Sequence, residues 1–288
     1  MAESRHFQTR RNDERELGNP RKGNYGGSTY NRLHEAESEP EMDAASMAAH
    51  EAQTSALAAR RGEFMLDYLR ARVPDNAGVW RELRGWLGIM TARPFGWRGW
   101  YDESFTVLDG GIVACCRDKE RGEVEGILID LPGRACAGLG TRLAPFLKWC
   151  LELGNVTRAD FALDDREGLI TLPRILEADV SGAIVTRWRG FTLLQNRERG
   201  RVAGWTCYFG SRQSQAFVRI YDKAGEQGLS GVAWVRFELE TKGKFAEALC
   251  REYFERGSVA IVEQVNRRFR IVEPQAGDGN RWRWPVAG

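Results

Sequence analysis

Histidine is nearly absent: the chain has three, His6, His34 and His50, and none beyond residue 50. A fold built downstream of them works without imidazole, which excludes Ser-His-Asp and Cys-His catalysis and histidine-ligated zinc from that region. Cysteine is sparse too. Six are scattered as Cys115, Cys116, Cys136, Cys150, Cys207 and Cys250 with no CxxC pair, most of them inside apolar runs such as GIVACC and LKWC. That spacing excludes a zinc or disulfide framework and predicts buried thiols. No stretch reaches the roughly 18 apolar residues of a membrane span, and the polar start MAESRHFQTRRND lacks the apolar core of a secretory signal. The expectation is a cytoplasmic protein with no membrane partner. An excess of one charge is also lacking. The 42 Lys and Arg against 40 Asp and Glu leave a formal +2, so any attraction for nucleic acid has to come from a local patch.

What is present is enough apolar material, 42% of 288 residues, to build a core. Residues 1–60 do not contribute to it. They hold no tryptophan, and a basic block (Arg10, Arg11, Arg21, Lys22) precedes an acidic one (Glu35, Glu37, Glu39, Glu41, Asp43). Such a segment buries too little to offset its ordering entropy, so a disordered polar tail is expected, with a short helix near Ala44 to Ala59.

From Glu63 the pattern runs through one cycle twice. In residues 61–154, FMLDYLRARV reads as a strand, VWRELRGWLGI as a helix, SFTVLDGGIVACCR and EGILIDL as strands, and RLAPFLKWCLEL as a helix. In residues 155–275, VTRADFALDD is a strand and LPRILEADV a short helix. FTLLQN, GWTCYFG, FVRIYDK and VRFELET follow as strands, and FAEALCREYFER as a helix. This predicts an α+β fold of two duplicated ferredoxin-like or RNA-recognition-type β-α-β-β-α units, each with an open antiparallel sheet. Residues 276–288 form a basic and aromatic C-terminal tail.

Side chains alternate between the two faces of a strand. Val235, Phe237 and Leu239 thus oppose Arg236, Glu238 and Glu240, Val218 and Ile220 oppose Arg219, Tyr221 and Lys223, and Phe161 and Leu163 oppose Arg158, Asp160 and Asp164. If these strands are neighbours, one face gathers carboxylates suited to magnesium or manganese and cations suited to phosphate. Alternation alone leaves a solvated sheet face with cross-strand ion pairs as the alternative. With no histidine at hand, a tyrosine nucleophile stays open, since a phenol can be activated by a nearby metal or cations. The Gly-rich run Gly133 to Thr141 (GRACAGLGT) is expected to be a turn entering a helix. It is no P-loop, because Leu139 stands where the lysine is needed.

The run CYFGSRQSQAFVRIYDKAGEQ, followed by WVRFELETKG, resembles the replication initiation factor (Rep_trans-type) family of rolling-circle plasmids and filamentous phages. Gly210, Ser211, Arg212 and Ser214 match its turn, Arg219, Ile220, Tyr221, Lys223 and Glu226 match R-I-Y-x-K-x-x-E, and Trp234, Arg236, Glu238 and Glu240 match W-x-R-x-E-x-E. Upstream, Arg158, Asp160 and Asp164 match R-x-D-x-x-x-D. The resemblance implies that Tyr221 cleaves a DNA strand and stays joined to its 5′ phosphate, with Arg219 and Lys223 on the phosphate. It also implies a divalent metal, Mg or Mn, on Asp160 and Glu238, with Asp164 and Glu240 as further ligands. DNA contacts fall on Arg158, Ser211, Arg212, Ser214 and Arg236. Origin DNA, single-stranded or as an extruded hairpin, is the implied partner, and a host helicase and a second copy are further candidates.

Two departures stand out. The paired-histidine motif of the HUH nickases is missing, and the chain ends at NRWRWPVAG where some relatives are expected to continue. Arg267, Arg268, Arg270, Arg281, Trp282, Arg283 and Trp284 near that end mix cations with aromatics, which suits phosphate contact and base stacking or, equally, a mobile surface tail. The rival readings are a non-catalytic single-strand-binding module that stacks bases on Tyr208, Tyr221 and exposed tryptophans, and a phage regulatory protein that has lost nicking.

Overall fold

The computed structural model describes residues 63–116, 126–188, 190–198, 201–272 and 281–282. The predicted N-terminal tail, its short helix and most of the C-terminal tail lie outside the described residues.

The first strand, β1 (Met65–Val73), turns Leu69, Ala71 and Val73 into the core. Helix α1 (Ala77–Leu87) starts where the Asn76 side chain accepts from the Val79 amide at 3.0 Å, which satisfies one of the amides the first turn leaves unpaired. Its Val79, Trp80, Leu83 and Leu87 recur at helical spacing and are buried. An antiparallel meander follows: β2 (Met90–Ala92), β3 (Glu103–Val107), β4 (Gly111–Cys115) and β5 (Ile127–Leu131). The expected turn at Gly133 to Thr141 is instead mostly helix. Its Ala135, Cys136 and Leu139 form an apolar stripe, so α2 (Gly133–Leu139) forms despite its glycines. Gly140, at φ 54°, breaks it from α3 (Leu143–Leu153).

The second half repeats the order. Strand β6 (Asn155–Asp165) leads to α4 (Leu172–Val180), which is capped by Thr171. The meander β8 (Phe191–Glu198), β9 (Arg201–Phe209), β10 (Ala216–Asp222) and β11 (Val235–Lys242) follows, then α6 (Gly243–Arg256). Between these lie β7 (Ile184–Thr186) and the single turn α5 (Lys223–Glu226). The chain then adds α7 (Ser258–Arg268), β12 (Phe269–Val272) and β13 (Arg281–Trp282), which the sequence pattern did not suggest. Strands β13, β12 and β7 form a small sheet of their own.

The halves do not build separate sheets. One ten-stranded sheet runs β2-β3-β4-β5-β1-β6-β11-β10-β9-β8, and every pairing in it is antiparallel. In each half the last meander strand lies beside the first strand, and the free edges of β1 and β6 then pair with each other. Joining them satisfies two rows of backbone groups that separate sheets would expose. One face carries the core, where Phe161 stacks on Tyr253 of α6 at 5.1 Å and Phe237 meets Phe269 at 5.9 Å. The other face carries the charged residues. Five of the six cysteines are buried and no disulfide joins any of them, as the scattered spacing predicts.

Candidate active site

The three strands singled out by alternation are neighbours, in the order β6-β11-β10. Register then fixes who meets whom: Asp160 lies opposite Glu240, Asp164 opposite Arg236, Glu238 opposite Arg219, and Arg236 opposite Tyr221. On a pleated sheet these form rows on one face, with neighbouring strands ~4.8 Å apart. Asp160, Glu238, Arg219 and Tyr221 therefore share one patch.

At its centre the Tyr221 hydroxyl donates to Glu238 Oε2 at 3.3 Å, and an Arg219 Nη donates to Glu238 Oε1. Arg219 also lies over the Tyr221 ring, 5.4 Å from its centroid, and Lys223 Nζ stands at 5.7 Å while pairing with Glu226. Arg158 grips Asp160 with two nitrogens, at 2.9 and 2.6 Å, and reaches Glu240 at 2.8 Å. Lys242 holds the other Glu240 oxygen at 2.8 Å.

This face is not the solvated surface that alternation suggested. Asp160 is 1% exposed, Glu238 0% and Tyr221 8%, because the arginine side chains fold over the carboxylates they neutralise. Burial pushes Asp160 up to about 8, with the charges of Glu238 and Glu240 adding and Arg158 opposing. Burial would raise Glu238 as well, but Arg219, Arg236 and a hydrogen bond from Asp160 hold it below the usual carboxylate range. Of the two carboxyls, Asp160 is thus the harder to ionise and Glu238 the easier. Tyr221 is held well above the usual phenol range by burial and by the Glu238 carboxylate, against Arg219 and Arg236.

Other expected contacts fall elsewhere. Arg236 is buried and spends its guanidinium on Asp164, at 2.6 and 2.8 Å, and on Asp67, at 2.8 Å, which leaves no face for a DNA phosphate. Against the cost of burial, Arg236 holds Asp164 below its ordinary value. Asp164 thus pairs both oxygens with Arg236, as Asp160 does with Arg158. Asp67 is pushed up to about 6 by burial, with Arg236 opposing. Replacing Arg236 by alanine would strand these two acids, and an expected loss of about 3–5 kcal/mol can be read by urea unfolding. A loss under about 1 kcal/mol would place the pair in the range of an exposed surface bridge.

Ser211, Arg212 and Ser214 form the β9–β10 turn, roughly 17 Å along β10 from Tyr221 at the usual rise per residue. Ser211 Oγ accepts from the Gln213 amide at 3.1 Å and Ser214 Oγ donates to the Ser211 carbonyl at 2.6 Å, so both shape the turn. Arg212 is exposed, donates to the Tyr208 hydroxyl at 2.8 Å and lies over its ring.

The first half contributes residues that the sequence pattern did not assign. Arg70 holds Asp130 at 3.1 and 2.8 Å, the Tyr68 hydroxyl donates to Asp130, and Arg158 lies 4.2 Å over the Tyr68 ring. Tyr68 is opposite Asp160 in register. MLDYLRARV already carried the alternation, with Tyr68, Arg70 and Arg72 on one side, but nothing in it announced β6 as its neighbour.

Among known proteins, residues 154–287 match the model of a family described as replication initiation factor. A provisionally named DNA relaxase, NicK of Bacillus subtilis (strain 168), is 26% identical over 167 residues, 51% of this chain and 47% of the relative. The chain thus spans about half the length of that relative. A solved structure of a rolling circle replication initiator protein from Geobacillus stearothermophilus shares the fold, with a TM-score of 0.64 over 78% of this chain and 92% of that one at 19% identity. Over residues 154–287 the chain is thus similar to the replication initiation factor family, the one that its tyrosine and carboxylate motifs resemble.

Proposed function

We propose that this chain starts rolling-circle replication by nicking one strand of origin DNA with Tyr221 and later rejoining it. The observation that carries this reading is the Tyr221 hydroxyl at 3.3 Å from the Glu238 carboxylate, inside a patch that also holds Arg219, Lys223 and Asp160. The phenol oxygen attacks the scissile phosphorus and its proton passes to Glu238. The bond from phosphorus to the 3′ oxygen breaks, and the released 3′ oxygen leaves as a hydroxyl after taking up a proton. The product is a 5′-phosphotyrosine and a free 3′ end that can prime synthesis. Arg219 Nε, a donor with no acceptor among the described residues, suits a phosphate oxygen.

The Asp160 and Glu238 pair suits a divalent cation, since a positive charge beside two buried carboxyls would offset the burial and mutual repulsion that push Asp160 up. Glu240 stands behind them, held by Arg158 and Lys242. Among the described residues no three metal-ligating side chains form a ready cage. Two carboxylates with water and phosphate oxygens completing the shell are a usual magnesium arrangement. Such an ion would supply Lewis-acid polarisation of the scissile phosphate.

Binding has to expel the Asp160 proton, so manganese affinity should rise about tenfold per pH unit from pH 6 and level off above about 8. The same shift has a sign for stability. Asp160 rises from 3.8 to about 8 on folding, so the folded chain binds more protons than the unfolded chain between those values. The metal-free protein should lose stability as pH climbs through that window. Isothermal titration at three pH values checks both the slope and its loss in Asp160→Asn, and a flat profile in the unmodified protein would count against the pair as ligands.

The class itself is tested by incubating the full chain with a supercoiled plasmid that carries the cognate origin, with and without manganese. Relaxed DNA with covalently attached protein is expected. Intact supercoils under every metal condition would leave the non-catalytic single-strand-binding reading in its place. No helix among the described residues is long and apolar enough to cross a membrane. The two halves, each running strand, helix, meander and helix, are read as a duplicated unit of ferredoxin-like ancestry, with the nicking chemistry kept in the second copy.

A further inference from the structure

On the charged face of the first half, the loop between β2 and β3 holds two aromatic rings in solvent. Phe95 is 60% exposed and Trp100 64% exposed, a cost in apolar hydration that a purely structural loop would avoid. The loop is nevertheless tied down. The Trp97 amide donates to the Tyr101 carbonyl at 2.9 Å, Ser104 Oγ donates to the Phe95 carbonyl at 2.8 Å, and the Arg93 amide donates to the Ser104 carbonyl at 2.9 Å. The backbone approaches itself so closely that a Cβ on Gly96 would lie 1.8 Å from the Tyr101 oxygen. Trp97 packs on Tyr101, Ile112, Ala114 and Leu128, which anchors the loop to the face that carries the candidate active site.

Guanidiniums alternate with the rings. Arg93 lies 4.6 Å over Phe95 and 4.9 Å over Trp97, and Arg98, in the left-handed region at φ 56°, lies 5.6 Å over Trp97 and 3.6 Å from Asp130. Ion pairs then lead from the loop to the site across β5, β1 and β6, Asp130 with Arg70 and Asp160 with Arg158. Four strand spacings separate β5 from the strand of Tyr221, about 19 Å. Two donors of the loop, Arg93 Nη1 and Trp97 Nε1, are buried and meet no acceptor among the described residues.

We propose that residues 93–101 form a stacking platform for unpaired nucleotides on one flank of the cleavage point, with Phe95 and Trp100 taking base faces and the exposed Arg98 taking a phosphate. Alternating rings and guanidiniums match single-stranded nucleic acid, whose bases offer π faces and whose backbone carries the opposite charge. The inference deepens the nicking reading and rests on it for the position of the cut.

The test uses the full chain carrying Tyr221→Phe, so that nothing is cleaved, and fluorescence anisotropy with labelled origin oligonucleotides that extend on either the 5′ or the 3′ side of the nick. Adding Phe95→Ala and Trp100→Ala together should weaken single-strand affinity at least about 30-fold on one flank only, because two stacked bases are lost at roughly 1 kcal/mol or more each. Trp100→Phe should recover most of the loss. Both rings are exposed, so the variants keep the core intact. Unchanged affinity, or an equal loss on both flanks and on duplex DNA, overturns the platform. A wild-type chain that binds the single strand through these rings but never nicks a plasmid would refute the role of Tyr221 and leave the platform standing.

Discussion

Tyr221→Phe should bring strand cleavage and covalent attachment down to background while DNA affinity stays within about twofold, since phosphate contacts and stacking carry binding and the phenol oxygen carries the chemistry. The variant keeps the ring between Arg219 and Lys223 and loses one hydrogen bond to Glu238. Glu238 retains Arg219 and Asp160 as partners, so the stability cost should be small, about 1 kcal/mol. Two tyrosines serve as controls. Tyr208 is on the neighbouring strand, opposite Arg219, and its hydroxyl accepts from Arg212. Tyr68 is the structural twin: its hydroxyl donates to a buried carboxylate, Asp130, and an arginine two residues along the same strand holds that carboxylate. Tyr68→Phe and Tyr208→Phe should leave cleavage largely intact. Mass spectrometry of the trapped adduct after nuclease trimming should place the phosphonucleotide on the peptide containing FVRIYDK. An adduct on Tyr68 would move the chemistry to the first half, and a wild-type adduct level in Tyr221→Phe would remove Tyr221 from it.

That Tyr68 escaped the sequence reading, and Tyr221 did not, shows which physics is local. The face of a strand follows from a two-residue period, so Asp160, Glu238, Arg219 and Tyr221 sort onto one side without any knowledge of neighbours. Which strands are neighbours is a long-range matter. The β6-β11-β10 order was a supposition that the structure meets, whereas β1 beside β6 depends on two edges finding each other across the halves. Burial of the patch was illegible for a related reason. A charged strand face reads as solvated until the partners are known, and only register shows Arg158 meeting Asp160 and Glu240, or Arg236 meeting Asp164 and Asp67. The helix at Gly133–Leu139 was hidden by its glycines, whose low propensity is outweighed by packing of Ala135, Cys136 and Leu139.

Glu238→Gln carries the second large effect, because among the described residues Glu238 bonds both the Tyr221 hydroxyl and Arg219. Arg219 and the proton on Asp160 hold its carboxylate ionised in a buried place, which keeps a proton acceptor beside a phenol that does not ionise by itself. Glutamine preserves size and can still accept from Tyr221, but it cannot take the proton. Cleavage should therefore slow by about 10²–10⁴-fold, the usual contribution of a positioned general base. If proton transfer is what was lost, the residual rate should climb in proportion to hydroxide as pH rises, while the wild-type rate does not. A metal-ligand role predicts a different pattern. Manganese affinity would fall with the rate, and excess manganese would restore activity without the climb with pH. Single-turnover cleavage of a labelled origin oligonucleotide across pH and manganese concentration separates the two. Wild-type rates in Glu238→Gln would reduce Glu238 to a buried ion-pair partner of Arg219.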